Sequence, residues 1–167
     1  MERKMLRFKQ SLPDVESQRI LTLGKYAVWA VDGDDDYPYA VPVNYVYDGD
    51  AIYIHCSRQG HKIDSIARNP RCSLCIVEKA DVVPEEFTSY FRSVIVFGRA
   101  EIVEDDMQRL EAIQLLCAKY SSGIDPADEI ARFRNTVCMV RINIDSITGK
   151  EAIELTRQRN NPSFRDW

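Results

Sequence analysis

No stretch of this 167-residue chain approaches the roughly 18 consecutive apolar residues of a membrane-spanning helix. The amino terminus, Met1-Glu-Arg-Lys-Met5, lacks the apolar core and small-residue cleavage site of a secretory signal, so a cytoplasmic location with no membrane partner is expected. Positive charge is not in excess either: 22 Lys and Arg stand against 26 Asp and Glu, a net charge of −4. That balance argues against a nucleic-acid partner, which needs basic residues gathered on one face. Any anion site must be local. Also absent are the glycine-rich fingerprint G-x-G-x-x-G, an internal repeat and any low-complexity segment. The chain is not poor in apolar residues, as disordered chains are; with 45% hydrophobic and 29% charged residues it suits one folded domain with a sizeable core.

Five cysteines, Cys56, Cys72, Cys75, Cys117 and Cys138, cannot all pair, and an odd count without an export signal suits a reducing compartment. Most read as small core residues. Cys72 and Cys75 have the C-x-x-C spacing of zinc and redox sites, but they lie in an apolar run that reads as a strand. Residues three apart on a strand point to opposite faces, so no metal is expected there.

Ser11-Leu-Pro-Asp14 resembles a capping box and predicts a helix to about Leu23. Residues 25–31 are aromatic and β-branched and read as a strand, closed by the acidic turn at 32–36. A second strand is expected over 37–47; Pro42 has no N–H for a ladder, so this strand should bulge or lie at an edge. Asp48-Gly49 turns the chain into a third strand ending at His55. Ile63, Ile66 and Ala67 recur at helical spacing before Asn69-Pro70 closes that helix. Residues 71–78 read as a strand, the acidic stretch near 83–86 as irregular, and 91–103 as a long strand bent at Gly98. Asp105 should cap a helix whose stripe Met107, Leu110, Ile113, Leu116 and Cys117 is read as core, and Asp125-Pro126 starts another helix. The last strand, residues 137–147, alternates so as to give one wetter face, and the residues after 150 read as a polar tail. Strands and helices do not alternate strictly, which disfavours a parallel sheet. The expected fold is mainly β with α: six antiparallel strands in a small barrel with short flanking helices.

The most informative stretch runs from His55 to Lys62, where Arg58, His61 and Lys62 gather at the start of a helix. Free N–H groups already make that end partly positive, so cations there run against the dipole. A bound phosphate removes the conflict, with Ser57 adding a hydroxyl donor and Gly60 allowing close approach. Solvated surface charge is the other reading, and spacing alone does not choose between them.

Four passages in this order identify a resemblance: Tyr37-Pro-Tyr-Ala-Val-Pro-Val-Asn-Tyr-Val-Tyr47, Ile52-Tyr-Ile-His-Cys-Ser-Arg-Gln-Gly-His-Lys-Ile63, Arg92-Ser-Val-Ile-Val-Phe-Gly-Arg-Ala100 and Ile147-Thr-Gly-Lys150. The chain resembles the pyridoxamine 5'-phosphate oxidase-like split-barrel flavoproteins, and among them the branch that contains nitroimidazole-resistance proteins. The resemblance implies a homodimer with flavin mononucleotide (FMN) at the interface and the split barrel spanning residues 1–150. It implies that Val41, Pro42, Val43 and Asn44 offer backbone groups to the flavin ring. His55, Cys56, Ser57, His61 and Lys62 would form the phosphate turn, and Arg92 and Ser93 would reach the flavin. In the nitroimidazole-resistance branch a histidine at the position of His55 belongs to the active site, which makes His55 the candidate catalytic residue; a structural histidine is the alternative. Ala40 stands where pyridoxamine-phosphate oxidases proper carry an arginine, and the tail does not supply their carboxy-terminal arginine motif, so vitamin B6 oxidation is not expected. The implied activity is an oxidoreductase that passes electrons from a reduced nicotinamide to a small planar acceptor, a nitroaromatic or quinone. A non-catalytic flavin- or haem-binding protein and a deazaflavin-dependent reductase are the alternatives.

Overall fold

A computed structural model describes residues 4–134 and 136–161. Seven strands are present: β1 (Ala27–Asp32), β2 (Pro38–Val43), β3 (Val46–Tyr47), β4 (Ala51–Cys56), β5 (Arg71–Val83), β6 (Thr88–Ile102) and β7 (Cys138–Glu151). Five α-helices accompany them: α1 (Asp14–Leu23), α2 (His61–Arg68), α3 (Asp106–Tyr120), α4 (Ala127–Phe133) and α5 (Ile153–Asn160). The strands form one antiparallel sheet in the order β2-β1-β5-β6-β7-β4-β3. Its two ends, β2 and β3, are neighbours in sequence, so the sheet curls into a barrel that stays split between them.

Alternation drives the curl. Trp29 of β1, Ile52 and Ile54 of β4, Leu74 and Ile76 of β5, Val94 and Val96 of β6, and Val140 and Ile142 of β7 share a single fully buried cluster, joined by Ile20 and Leu21 of α1. Each strand contributes every second residue, as a pleated strand with one buried face must. Burying a residue the size of Leu, Ile or Trp contributes roughly 1.5–3 kcal/mol, so this cluster is the main favourable term of the fold. Gly98 bends β6, as expected: the register shifts between Phe97 and Gly98, and a Cβ on Gly98 would lie 2.5 Å from the Asn143 carbonyl oxygen. Pro42 also meets its expectation, because β2 pairs with β1 alone and is an edge strand.

The structure differs from the sequence reading in several places, each for a tertiary reason. The second strand breaks into β2 and β3, which makes seven strands where six were expected. At the break the Asn44 side chain donates to the Lys25 carbonyl (3.1 Å), and Tyr45 turns inward, fully buried, to donate its hydroxyl to the Leu21 carbonyl (2.7 Å). Ser11 does not cap α1; it bridges to Lys150, and Pro13 takes the N-cap position, so the helix from Asp14 has no side-chain cap among the described residues. The acidic stretch is a short 3-10 turn, Pro84–Glu86, at the tip of a long β5–β6 hairpin. The start of β7 has no wet face: Cys138, Met139 and Val140 are all buried, because α3 lays Ala112 and Leu116 over Met139. Where a polar tail was expected from 151 onward, β7 runs through Glu151 and α5 follows; residues 162–167 of that tail lie outside the described residues.

Candidate functional site

β4 ends at Cys56 and α2 begins at His61, with the turn 57–60 between them exposed. Gly60 sits at φ +112°, a conformation that residues with a Cβ avoid, and the space beside it is open. No side chain caps α2. The Gly60 carbonyl accepts from the N–H groups of Ile63 (2.9 Å) and Asp64 (3.1 Å), which leaves the amides of His61 and Lys62 without intrahelical partners. Lys62 stands half-buried in this first turn, close enough to Cys56 to favour its thiolate. Two amides without intrahelical partners, a lysine and the Ser57 hydroxyl thus form a cradle of donors at one helix start, the kind of place that can hold an anion.

His61 is turned aside. Its ring stacks on Tyr39 of β2 at 4.1 Å between centroids, and its Nε2 lies 3.7 Å from an Asp34 carboxylate oxygen, too far for a hydrogen bond. That buried Nε2 has no hydrogen-bond partner among the described residues. The stack fixes the turn against β2, the strand whose outer edge pairs with no other strand among the described residues. Val41, Pro42 and Val43 lie on that edge strand and Asn44 directly follows it, so the backbone groups that alternate to its open side are available to a ligand.

Adjacent strand positions face opposite ways, and this separates two expected site residues. Cys56 points into the barrel beside Cys138, whereas His55 points outward beside Met139. His55 there walls a groove of about 590 Å³ together with Asn44, Val137 and Met139, under Ile113, Leu116, Cys117 and Tyr120 of α3 and Phe133 of α4. Of the α3 stripe read from sequence as core, Ile113, Leu116 and Cys117 therefore roof the groove, whereas Met107 at its start is exposed. Tyr120 was missed, although it extends the same stripe by one turn. Its hydroxyl accepts from the Tyr45 N–H (3.0 Å) and bonds the carbonyls of Tyr45 (2.8 Å) and Lys25, which pins the end of α3 to the split in the barrel.

Two ionisable side chains beside the groove are shifted by burial. Lys119 lies with its Nζ 4.0 Å from the centre of the Tyr45 ring and without a hydrogen-bond partner; desolvation pushes it down to about 8. The Tyr45 hydroxyl is raised, first by burial and then by Tyr120.

Arg92 and Ser93 are elsewhere. Arg92 is held by the fully buried Glu151 (3.1 Å), with Glu16 and Glu78 at 3.8 and 3.9 Å, and Arg159 of α5 takes the other Glu151 oxygen (2.8 Å). Ser93 pairs with Lys150 near the end of β7, while Cys56 pairs with Cys138 at its start. Twelve residues of β7 separate the two positions, on the order of 40 Å of strand path. Along the sheet Ser93 thus lies toward the far end of β7 from the strand pair that leads into the α2 turn.

A split antiparallel barrel with a cradle of donors beside its open edge defines the class, a split-barrel fold. The chain belongs to the pyridoxamine 5'-phosphate oxidase family, whose sequence profile matches residues 13–151. It is similar to an uncharacterized protein of Rhizobium meliloti (strain 1021), 29% identical over 145 residues that cover 82% of this chain and 91% of the relative. Among solved structures it shares its fold with a candidate 5-nitroimidazole antibiotic resistance protein of Bacteroides thetaiotaomicron, at a TM-score of 0.71 and 21% identity over 84% of this chain and 86% of the other. An FAD-binding protein of Mesorhizobium loti aligns at a TM-score of 0.61 and 26% identity, covering 84% of this chain and 94% of its own. No helix among the described residues is long and apolar enough to cross a membrane.

Proposed function

We propose that this protein binds FMN at the α2 turn and is an oxidoreductase for a small planar acceptor such as a nitroaromatic or a quinone, with a reduced nicotinamide as donor. The observation that carries the reading is the uncapped α2 start, with Lys62 and two free amides, set between the open β2 edge and a groove walled by His55. The residues present fit a phosphate: the cradle offers donors and positive charge, and no side chain caps it. The likeness to an FAD-binding protein supports a flavin and makes FAD the second reading.

In this reading Ser57, Lys62 and the amides at the start of α2 hold the phosphate, while Cys56 contributes backbone only. Val41, Pro42, Val43 and Asn44 present backbone groups toward the ring, and His61 braces the turn against Tyr39. When bound, the flavin would take electrons from the donor and hand them to the acceptor. The groove receives the acceptor: its apolar walls face a planar ring, and His55 stands on its wall with an imidazole that can pass a proton to the reduced product. Arg92 and Ser93 come from a second copy, so the site is completed in a homodimer.

Native mass spectrometry combined with FMN titration tests this. The expected result is two chains with two ligands of FMN mass, and Lys62→Ala weakening FMN at least tenfold, about 1.4 kcal/mol. An unchanged dissociation constant in Lys62→Ala overturns the phosphate assignment, and FAD mass, deazaflavin mass or a haem absorption band overturns FMN. Failure of reduced nicotinamides to bleach the bound flavin anaerobically removes the enzyme claim.

A further inference from the structure

Cys56 and Cys138 are the last paired residues of the β4–β7 ladder and stand directly opposite one another. Both side chains face the barrel interior, and the two thiols are close enough to bear on each other's ionisation. Directly opposed Cβ atoms lie about 4.5–5.5 Å apart, and a disulfide needs about 3.5–4.5 Å, so closing the bond asks for a movement of roughly 1 Å. Cys138 is buried and Cys56 half-buried at the mouth of the barrel, which makes Cys56 the accessible sulfur. The other cysteines have no such partner: Cys72 faces the core, Cys75 the opposite side of β5, and Cys117 lies on α3.

We infer that Cys56 and Cys138 form a dithiol site which a hydroperoxide converts into an intramolecular disulfide, tying β4 to β7 at the foot of the α2 turn. The Cys56 sulfur attacks hydrogen peroxide, the O–O bond breaks, and one water leaves as the sulfenic acid forms. The Cys138 sulfur then displaces the sulfenic oxygen as a second water. Two thiols lose two protons and two electrons in all, and the two peroxide oxygens are reduced. No cofactor enters this chemistry, so its outcome is independent of the flavin reading. Burial holds Cys56 up at about 12 and also raises Cys138; Lys62, Arg58 and Arg109 counter this and Glu104 adds to it. The thiols therefore react slowly at neutral pH, and the rate climbs about tenfold per pH unit below 10.

The test is oxidation of the reduced full-length protein by excess hydrogen peroxide at pH 7 and pH 9, followed by thiol blocking and non-reducing peptide mapping. The expected product is one 56–138 cross-linked peptide, lighter by two hydrogens, formed about 100-fold faster at pH 9 and reversed by dithiothreitol. Cys138→Ser should instead leave a dimedone-reactive sulfenic acid at Cys56. Sulfinic acid at Cys56 with Cys138 still free, a disulfide between two chains, earlier oxidation of another cysteine, or no oxidation at all overturns the proposal.

Discussion

Glu151 is a carboxylate with no exposed surface, and it survives burial because Arg92 and Arg159 each take one of its oxygens. Removing it leaves two partly buried guanidiniums facing one another. Glu151→Ala is expected to cost roughly 2–3 kcal/mol, at the low end for a broken buried ion pair because both arginines reach solvent and keep Glu16 and Glu78 nearby. The midpoint of urea unfolding measures it, and a change below about 0.5 kcal/mol would show the cluster to be ordinary surface charge. Arg92 also marks the limit of reading a site from sequence. Its polarity and position within a family motif were visible, but its partners Glu151 at the end of β7, Glu16 on α1 and Glu78 on β5 are brought to it by tertiary packing that no local pattern encodes. Lys62 was legible for the opposite reason: a helix start and its charge are local facts, and both follow from five consecutive residues.

At the scale of elements, the same division holds. β1, the β4–turn–α2 unit and the Asp105 cap of α3, whose side chain accepts from the Gln108 N–H at 2.9 Å, were all legible because strand alternation and capping are short-range. The β2–β3 break was not, since it depends on Asn44 and Tyr45 finding carbonyls on the β1 side and on α1. Nor was the groove, which exists only because α3 crosses the outer face of β4 and β7. Tyr120 fastens that crossing. Tyr120→Phe keeps the ring and loses the hydroxyl's bonds, leaving the Tyr45 amide unsatisfied; about 1–2 kcal/mol of stability should go with it. In the proposed enzyme the loosened end of α3 widens the groove, so KM for the acceptor should rise several-fold while FMN affinity holds. A variant with unchanged stability and KM would mean that α3 is seated by its apolar stripe alone.

For the whole molecule, burial of ionisable groups predicts how stability follows pH. Cys56, Cys72, Cys75 and Cys138 are all raised from an ordinary value of 9.0, chiefly by desolvation, and Tyr45, Tyr47 and Tyr53 are raised from 10.0 for the same first cause. Up to about pH 8 these groups are protonated in both states and contribute fully. As pH climbs from about 8 toward 12 the unfolded chain releases protons that the folded chain retains, so stability falls. Lys119 works the other way. Its amine ionises less readily when folded, about 8 against an ordinary 10.5, so between those values the unfolded chain binds more protons and stability rises. Glu16, lowered mainly by its Arg19 hydrogen bond, contributes above its ordinary 4.5 and fades as pH drops through that range. The sum is a plateau from about pH 5 to 7, a shallow rise toward 8 that belongs to Lys119, and a decline from about pH 8.5 on, where seven groups oppose one. Urea unfolding at fixed ionic strength between pH 4 and 10.5 should trace that shape, and Lys119→Met should erase the rise while leaving the alkaline decline. Stability that kept increasing through pH 10.5 would mean that the barrel's thiols and phenols are not held protonated by their surroundings. The same protonation keeps the Cys56–Cys138 pair inert in the neutral range, so one property of the barrel mouth governs both its stability and its chemistry.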